Sequence, residues 1–329
     1  MARKNEQPVL VTGAKGFLGS EIVRHAVAAH LAVRATDKYT EHITLDADYR
    51  PADILDLSSL KPIFRDVSLV IHVAGLAHVF DKAKADIAPF KAINEQGTAN
   101  VAHAAAEAGV RHFILISSVS VYGPFTQGVN DESTPCRPEG PYAESKYQAE
   151  KRAIEIAQQS GMALTILRLA TLYGEGDPGN VARLMRTIDS GRFVWVGNGA
   201  NSKSLLHRED AARACVTVVL HPCTGVKIYN VSAQPYTMRE VVEGLAVALG
   251  RLLLRLHIPA SLALRSGEIL NRLVGHRGSL GNLHTTLEKW LADDAYDASK
   301  FQRTFGFQTE VGLIEGLRRE VAWYRNQTH

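Results

Sequence analysis

The stretch Val9-Leu10-Val11-Thr12 followed by Gly13-Ala14-Lys15-Gly16-Phe17-Leu18-Gly19 decides the reading of this chain. Four apolar or β-branched residues form a short strand, a TGxxGxxG turn breaks it, and a helix opens at about Gly16 and runs to His30. Glycines at this spacing let the backbone turn tightly and approach a pyrophosphate, which then lies on the amides and positive dipole end of the helix. Lys15, Phe17 and Leu18 fall inside the same loop. Glycine triplets also occur in ordinary tight turns, but strand, turn and helix in this order point to a dinucleotide site.

The pattern repeats outward from that loop. Ala32 to Thr36 reads as a second strand ending at Asp37, and Leu69 to Val73 as a third, apolar on both faces as a buried parallel strand is. An Ala-rich helix around Asn100 to Ala108 precedes a strand at Phe113 to Ile116. A helix over Pro141 to Gln159 leads to a strand over Ala163 to Leu169. Strands alternating with helices predict an α/β chain with a Rossmann-type, doubly wound parallel sheet over residues 1–175. Residues 176–329 read as a smaller, mostly helical substrate lobe, with Lys227 to Val231 returning to the main sheet. Asp37 lies 24 residues after Gly13. A carboxylate there accepts hydrogen bonds from ribose hydroxyls and repels a 2′-phosphate, which favours NAD over NADP; Lys38 beside it offsets part of that repulsion.

Composition bounds the rest. The 329 residues carry 37 Lys and Arg against 34 Asp and Glu, well mixed, so no basic stripe suggests nucleic acid. Three cysteines without CxxC spacing give neither a disulfide framework nor a metal site, and fit a reducing compartment. No apolar run reaches the roughly 18 residues of a membrane span, and the N-terminus lacks a signal-peptide core. The expectation is a cytoplasmic enzyme with no metal.

Tyr142 and Lys146 stand four residues apart on one predicted helix, so they share a face. An ammonium near a phenol favours the phenolate and lowers the tyrosine pKa, making tyrosine a general base in alcohol oxidation and a general acid in carbonyl reduction. YxxxK is common by chance, but Ser118 lies just past the C-terminal end of a parallel strand, where such sheets place ligands. Its hydroxyl there can polarise a substrate oxygen against Tyr142.

With these motifs in place the chain resembles the extended short-chain dehydrogenase/reductases, in the NAD-dependent epimerase/dehydratase family that works on nucleotide sugars. The likeness covers TGAKGFLG, Asp53-Ile54, HVAG at 72–75, NEQGTAN at 94–100, ISSVSVYG at 116–123, YAESK at 142–146, RLATLYG at 168–174 and the late YDASKFQRTFGF. The resemblance implies that Asp53 and Ile54 contact adenine, and that Val73, Ala74 and Gly75 line the cofactor. It places Asn94 and Ser117 beside the nicotinamide, and Lys146 on its ribose. The dehydratases of the family carry an Asp-Glu pair after the active-site hydroxyl; here Val119-Ser120 stands instead, which speaks against water elimination. A 4-epimerase and a 4-keto reductase both remain. For the substrate, the resemblance implies Ser118, Ser120 and Thr171 at the sugar, Asn180 at the diphosphate, Val194 and Trp195 along the base, and Lys203 near the pyrophosphate. A strand Trp is also commonly just packed, and Asp210 is expected to cap a helix. Thr171 replaces an asparagine of the UDP-galactose epimerases, and the arginine those enzymes carry near the C-terminus has only Lys289 or Arg277 as stand-ins. The late pattern is closer to surface-polysaccharide 4-keto reductases and epimerases. Two other readings stay open: a reductase of non-nucleotide carbonyls of the sterol or flavonoid type, and a non-catalytic dinucleotide sensor. The helices near 100–108 and 142–159 form a dimer face in many relatives.

Overall fold

The computed structural model describes residues 7–41, 46–77, 87–124, 128–254, 256–266, 287–288 and 290–327. Seven parallel strands make the central sheet: β1 (Val9–Thr12), β2 (Val33–Thr36), β3 (Asp48–Tyr49), β4 (Leu69–His72), β5 (His112–Ser118), β6 (Ala163–Leu169) and β11 (Val226–Val231). Their order is β11-β6-β5-β4-β1-β2-β3. The chain starts in the middle, winds to one edge, then crosses to build the other, as a doubly wound sheet must. Short strands β7 (Thr171–Tyr173), β8 (Trp195–Val196), β9 (Ser202–Lys203), β10 (Leu205–His207), β12 (Tyr236–Thr237) and β13 (His257–Ile258) pair outside it.

Alternation along the strands explains the three layers. Val9, Val11, Ile71, Ile114, Ile116, Leu167 and Leu169 face one side, with helix α1 (Phe17–Ala28) and helix α7 (Arg208–Leu220) over them. Leu10, Val70, Phe113, Leu115, Leu164 and Ile166 face the other, covered by α4 (Gly97–Glu107) and α5 (Pro141–Ser160). Each of these aliphatic side chains, fully buried, contributes roughly 1.5–3 kcal/mol. Helix α5 starts with Pro141 at its first position and stops at Gly161, whose φ of 74° is the left-handed conformation glycine adopts without strain.

A separate core packs α6 (Asn180–Asp189), α8 (Met238–Leu249) and α10 (Leu313–Gln327) around Phe193 and Trp195. Strand β11 does return to the sheet, paired parallel to β6 from Val226↔Leu164 to Val231↔Leu169. Helix α9 (Ser299–Phe305) packs Phe301 under it, edge-on to Tyr229. Among the described residues no helix is long and apolar enough to cross a membrane.

Candidate active site

Strand register gathers the site. Thr12 lies level with Thr36 on one side and His72 on the other, so the glycine loop, Asp37 and Val73 emerge together at the carboxyl edge of the sheet. Ser118, at the end of β5, is level with Leu169 and opens onto the same edge.

The glycine loop is built for close approach. Gly13 has φ 67°, and a Cβ there would sit 2.7 Å from the Ala74 backbone. One on Gly19 would lie 2.0 Å from the Gly13 carbonyl oxygen. Side chains at these positions would fill the cradle. Gly16 precedes α1 with no side-chain cap, so the first amides of that helix are left for an anion. Asp37 is held beside the loop by the backbone N–H of Lys15 (3.1 Å) and of Lys38 (2.8 Å). A cradle closed to Cβ atoms, an uncapped helix start and a carboxylate two strands in fit the pyrophosphate and ribose of a dinucleotide.

Buried polar side chains hold the loops around this cradle. Thr12 Oγ1 contacts His72 Nδ1 at 2.7 Å and accepts from the N–H of Val73 and Ala74, while His72 Nε2 meets Thr98 Oγ1 at 3.0 Å. Burial, with the Lys146 charge nearby, pushes His72 down to about 3, so the imidazole stays neutral and serves as a linker. Asn94 lies in a π-helical turn, Lys91–Gln96, of the kind that recurs at functional sites. Its Oδ1 accepts from Leu76 N–H, and its Nδ2 donates to Leu76 O and Ser145 Oγ. It thus clamps the 73–76 segment to α5, and a Cβ on Gly75 would touch both Asn94 Oδ1 (3.1 Å) and Lys146 Nζ (3.4 Å). Asp53 turns inward on itself, its Oδ1 accepting Leu55 N–H, and Ile54 packs where a Cβ on Gly97 would strike it at 2.5 Å.

The trio is assembled. Ser118 lies near enough to Tyr142 to ease its ionisation, and Lys146, buried one turn on, donates from Nζ to Ile116 O at 2.8 Å. Burial lowers Lys146 to about 8 although Glu150 opposes it. Tyr142, against the sequence expectation, is raised rather than lowered. Burial dominates, the neighbouring Ser118 hydroxyl only moderates it, and the Lys146 ammonium is engaged by a carbonyl. The resting phenol is a proton donor.

Strand alternation corrects Ser117. With Ser118 facing the site, Ser117 points to the opposite face and donates to Glu150 Oε1 at 2.5 Å; only its backbone borders the site. Glu150 also takes a two-pronged contact from Arg168 (3.0 and 2.7 Å), and Arg168 donates to Tyr122, which donates to Asn230. Sequence reading passed over this buried network. Its signals were an arginine in an otherwise apolar strand and a glutamate on the Tyr142–Lys146 face of α5.

The substrate residues divide. Thr171 on β7 and Val194 are half-buried, and Asn180 is exposed as the first residue of α6, whose N–H groups at Gly179 and Ala182 are taken by Asp177. Ser120 places its N–H on Ser118 Oγ (3.2 Å) and keeps a buried hydroxyl without a partner among the described residues. Trp195 is packed: it is 3% exposed, edge-on to Phe193, stacked on His257, with Arg239 over its ring. It has no face left for a base. Lys203 is spent as a strap, donating to Ala292 O at 2.8 Å and pairing with Asp294 at 3.7 Å. Asp210 does not cap α7. His207 does, accepting from Glu209 N–H, while Asp210 binds Arg213 and the N–H groups of Glu310 and Val311. Lys289 and Arg277 lie outside the described residues.

Comparison with known proteins agrees with this geometry. The chain is 28% identical to an N-acetyl-glucosaminyl-diphospho-undecaprenol 4-epimerase of Escherichia coli O157:H7, covering 96% of this chain and 94% of that one. It is 29% identical to a 2-alkyl-3-oxoalkanoate reductase of Stenotrophomonas maltophilia (strain K279a), over 94% and 97%. The solved structure of MoeE5 in complex with UDP-glucose and NAD superposes with a TM-score of 0.78 at 26% identity, covering 98% of this chain and all of that one. Residues 9–232 match the NAD dependent epimerase/dehydratase family, and the chain belongs to it.

Proposed function

We propose that this protein is an NAD-dependent enzyme that works at C4 of a UDP-linked sugar, as a 4-epimerase or a 4-keto reductase in surface-polysaccharide metabolism. The reading is supported by Tyr142 and Lys146 one turn apart on α5, with Ser118 near enough to Tyr142 to ease its ionisation and Lys146 Nζ buried against Ile116 O. NAD, held by Gly13 to Gly19, the start of α1 and Asp37, would supply the acceptor and donor for hydride. Ser118 holds the reacting oxygen. Tyr142 takes its proton when the carbinol is oxidised and returns it when the carbonyl is reduced, within the roughly 10²–10⁴-fold range of a positioned acid–base group. Lys146 supplies positive charge that favours the phenolate at the moment it forms. Val119-Ser120 carries no carboxylate, so no residue beside Ser118 is equipped to expel water. Asn180 contacts the diphosphate and Thr171 the sugar.

The test is turnover of UDP-, GDP- and dTDP-hexoses, and NADH oxidation with a UDP-4-keto sugar. Inactivity across the whole panel rejects the proposal. NAD retained through purification marks the epimerase, an exchanging site the reductase.

A reductase of a non-nucleotide carbonyl is the second reading. The reductase of Stenotrophomonas maltophilia and the commitment of Lys203 to Ala292 and Asp294 favour it. Stabilisation by free UDP in a thermal melt excludes it. Three free cysteines fit a cytoplasmic setting, and the α4–α5 face is the proposed homodimer surface, to be checked by light scattering.

A further inference from the structure

We propose that Arg208 is a positioning residue that ties the cofactor loop to the substrate loop, so that dinucleotide binding orders the segment leading to Asn180. The inference rests on the NAD-dependent reading above.

Arg208 is the first residue of α7, and its side chain is only 15% exposed. Toward the cofactor loop, its guanidinium lies 4.9 Å over the Phe17 ring, at the first residue of α1. Nη2 donates to Ser20 Oγ (3.3 Å) and Glu21 Oε2 (3.1 Å) on the same helix. Toward the substrate loop, Nη1 donates to the carbonyl of Glu175. The loop lies directly on this side chain: a Cβ on Gly174 would come within 3.1 Å of Arg208 Cγ and 2.7 Å of His207 Nε2.

Glu175 and Asp177, further along the loop, are anchored as well. The Glu175 carboxylate faces His207 Nε2 (3.3 Å) and accepts from Arg319 (2.6 Å), and Arg319 reaches Glu209 (2.8 Å). Burial alone would raise Glu175, yet the nearby His207 ring and the Arg319 hydrogen bond bring it to about 2, so it stays charged. Two residues on, Asp177 holds Gly179 and Ala182 and so sets the start of α6 and Asn180. A planar fork that stacks on one ring while donating in two directions transmits position; lysine, a single compact charge, cannot. Any such link is reciprocal, because a ligand that orders one loop raises affinity at the other by the same factor.

Amide hydrogen exchange of the full chain, with and without NAD, tests this. In the wild type, NAD is expected to slow exchange over 9–21 and also over 174–182. In Arg208→Met the first effect persists and the second is lost, and Arg208→Lys does not restore it. NAD should also raise UDP affinity about 5–100-fold in the wild type and less than about twofold in Arg208→Met. Protection of 174–182 that is absent in the wild type, or equal in wild type and Arg208→Met, overturns the proposal. If Arg208→Met fails to fold, Glu21→Gln, which weakens one anchor, is read by the same criteria. If UDP binds nowhere while the exchange coupling is present, the substrate reading fails and the role of Arg208 stands.

Discussion

Tyr142 sits in a site whose burial resists its ionisation, and Ser118 partly eases it. Removing the phenol oxygen should therefore abolish proton transfer without touching the cradle. Tyr142→Phe is expected to lower turnover about 10²–10⁴-fold with NAD affinity unchanged within about twofold, as equilibrium binding and steady-state rates can check. Ser118→Ala removes the neighbouring hydroxyl that lowers the tyrosine pKa. Alcohol oxidation needs the deprotonated phenol, so its pH–rate inflection should move to higher pH in Ser118→Ala. An unmoved or acid-shifted inflection means that the titrating group is not Tyr142.

At the scale of elements, α1 and α5 carry the two halves of the chemistry. The first turn of α1 tolerates no Cβ at Gly19, since the obstacle is the Gly13 carbonyl and not a movable side chain. Gly19→Ala should weaken NAD binding more than about tenfold, measured by calorimetry, through a shifted loop. Helix α5 presents Tyr142, Lys146 and Glu150 at successive turns, and Glu150 is 1% exposed with Arg168 4% exposed opposite it. Breaking one partner of a buried pair leaves the other charge uncompensated, typically about 3–5 kcal/mol. Glu150→Gln should show that loss in urea unfolding, and Glu150→Asp part of it.

For the molecule as a whole, helix α10 packs against α8 and reaches the segment after β7. It inserts Glu320, 1% exposed, whose Oε2 accepts from Gly174 N–H at 3.3 Å while Oε1 has no partner among the described residues. Burial, with Asp177 adding to it, pushes this carboxyl up to about 9. A raised folded-state pKa means that the native state holds the proton more tightly than the unfolded chain does. Glu320 therefore favours folding most below its unfolded value of 4.5, and that contribution is lost as pH rises toward 9. Glu320→Gln, permanently neutral, should be more stable than the wild type at pH 8 by about 1–3 kcal/mol, with the difference shrinking toward pH 4.5. Thermal melts across that range decide it, and a constant difference would remove the ionisation argument.

Local chemistry was enough for much of this protein. The strand β1, the glycine turn and α1 follow from residues within about 20 positions of one another, because turns and amphipathic faces are short-range properties. The same is true of Tyr142 and Lys146, which one helical turn brings together. The doubly wound sheet followed from alternating strand and helix signals, including the return of β11. What the sequence did not determine was how long-range packing spends each polar group. Ser117 turned to Glu150 because its neighbour Ser118 needed the other face; Lys203 was taken by Ala292 and Asp294; Trp195 was enclosed by Phe193, His257 and Arg239. The Tyr142 pKa reversed direction because burial outweighed the neighbouring Ser118 hydroxyl. These outcomes depend on partners up to 91 residues away. Buried donors and acceptors must be satisfied by whatever the fold brings near, and that is decided only in three dimensions.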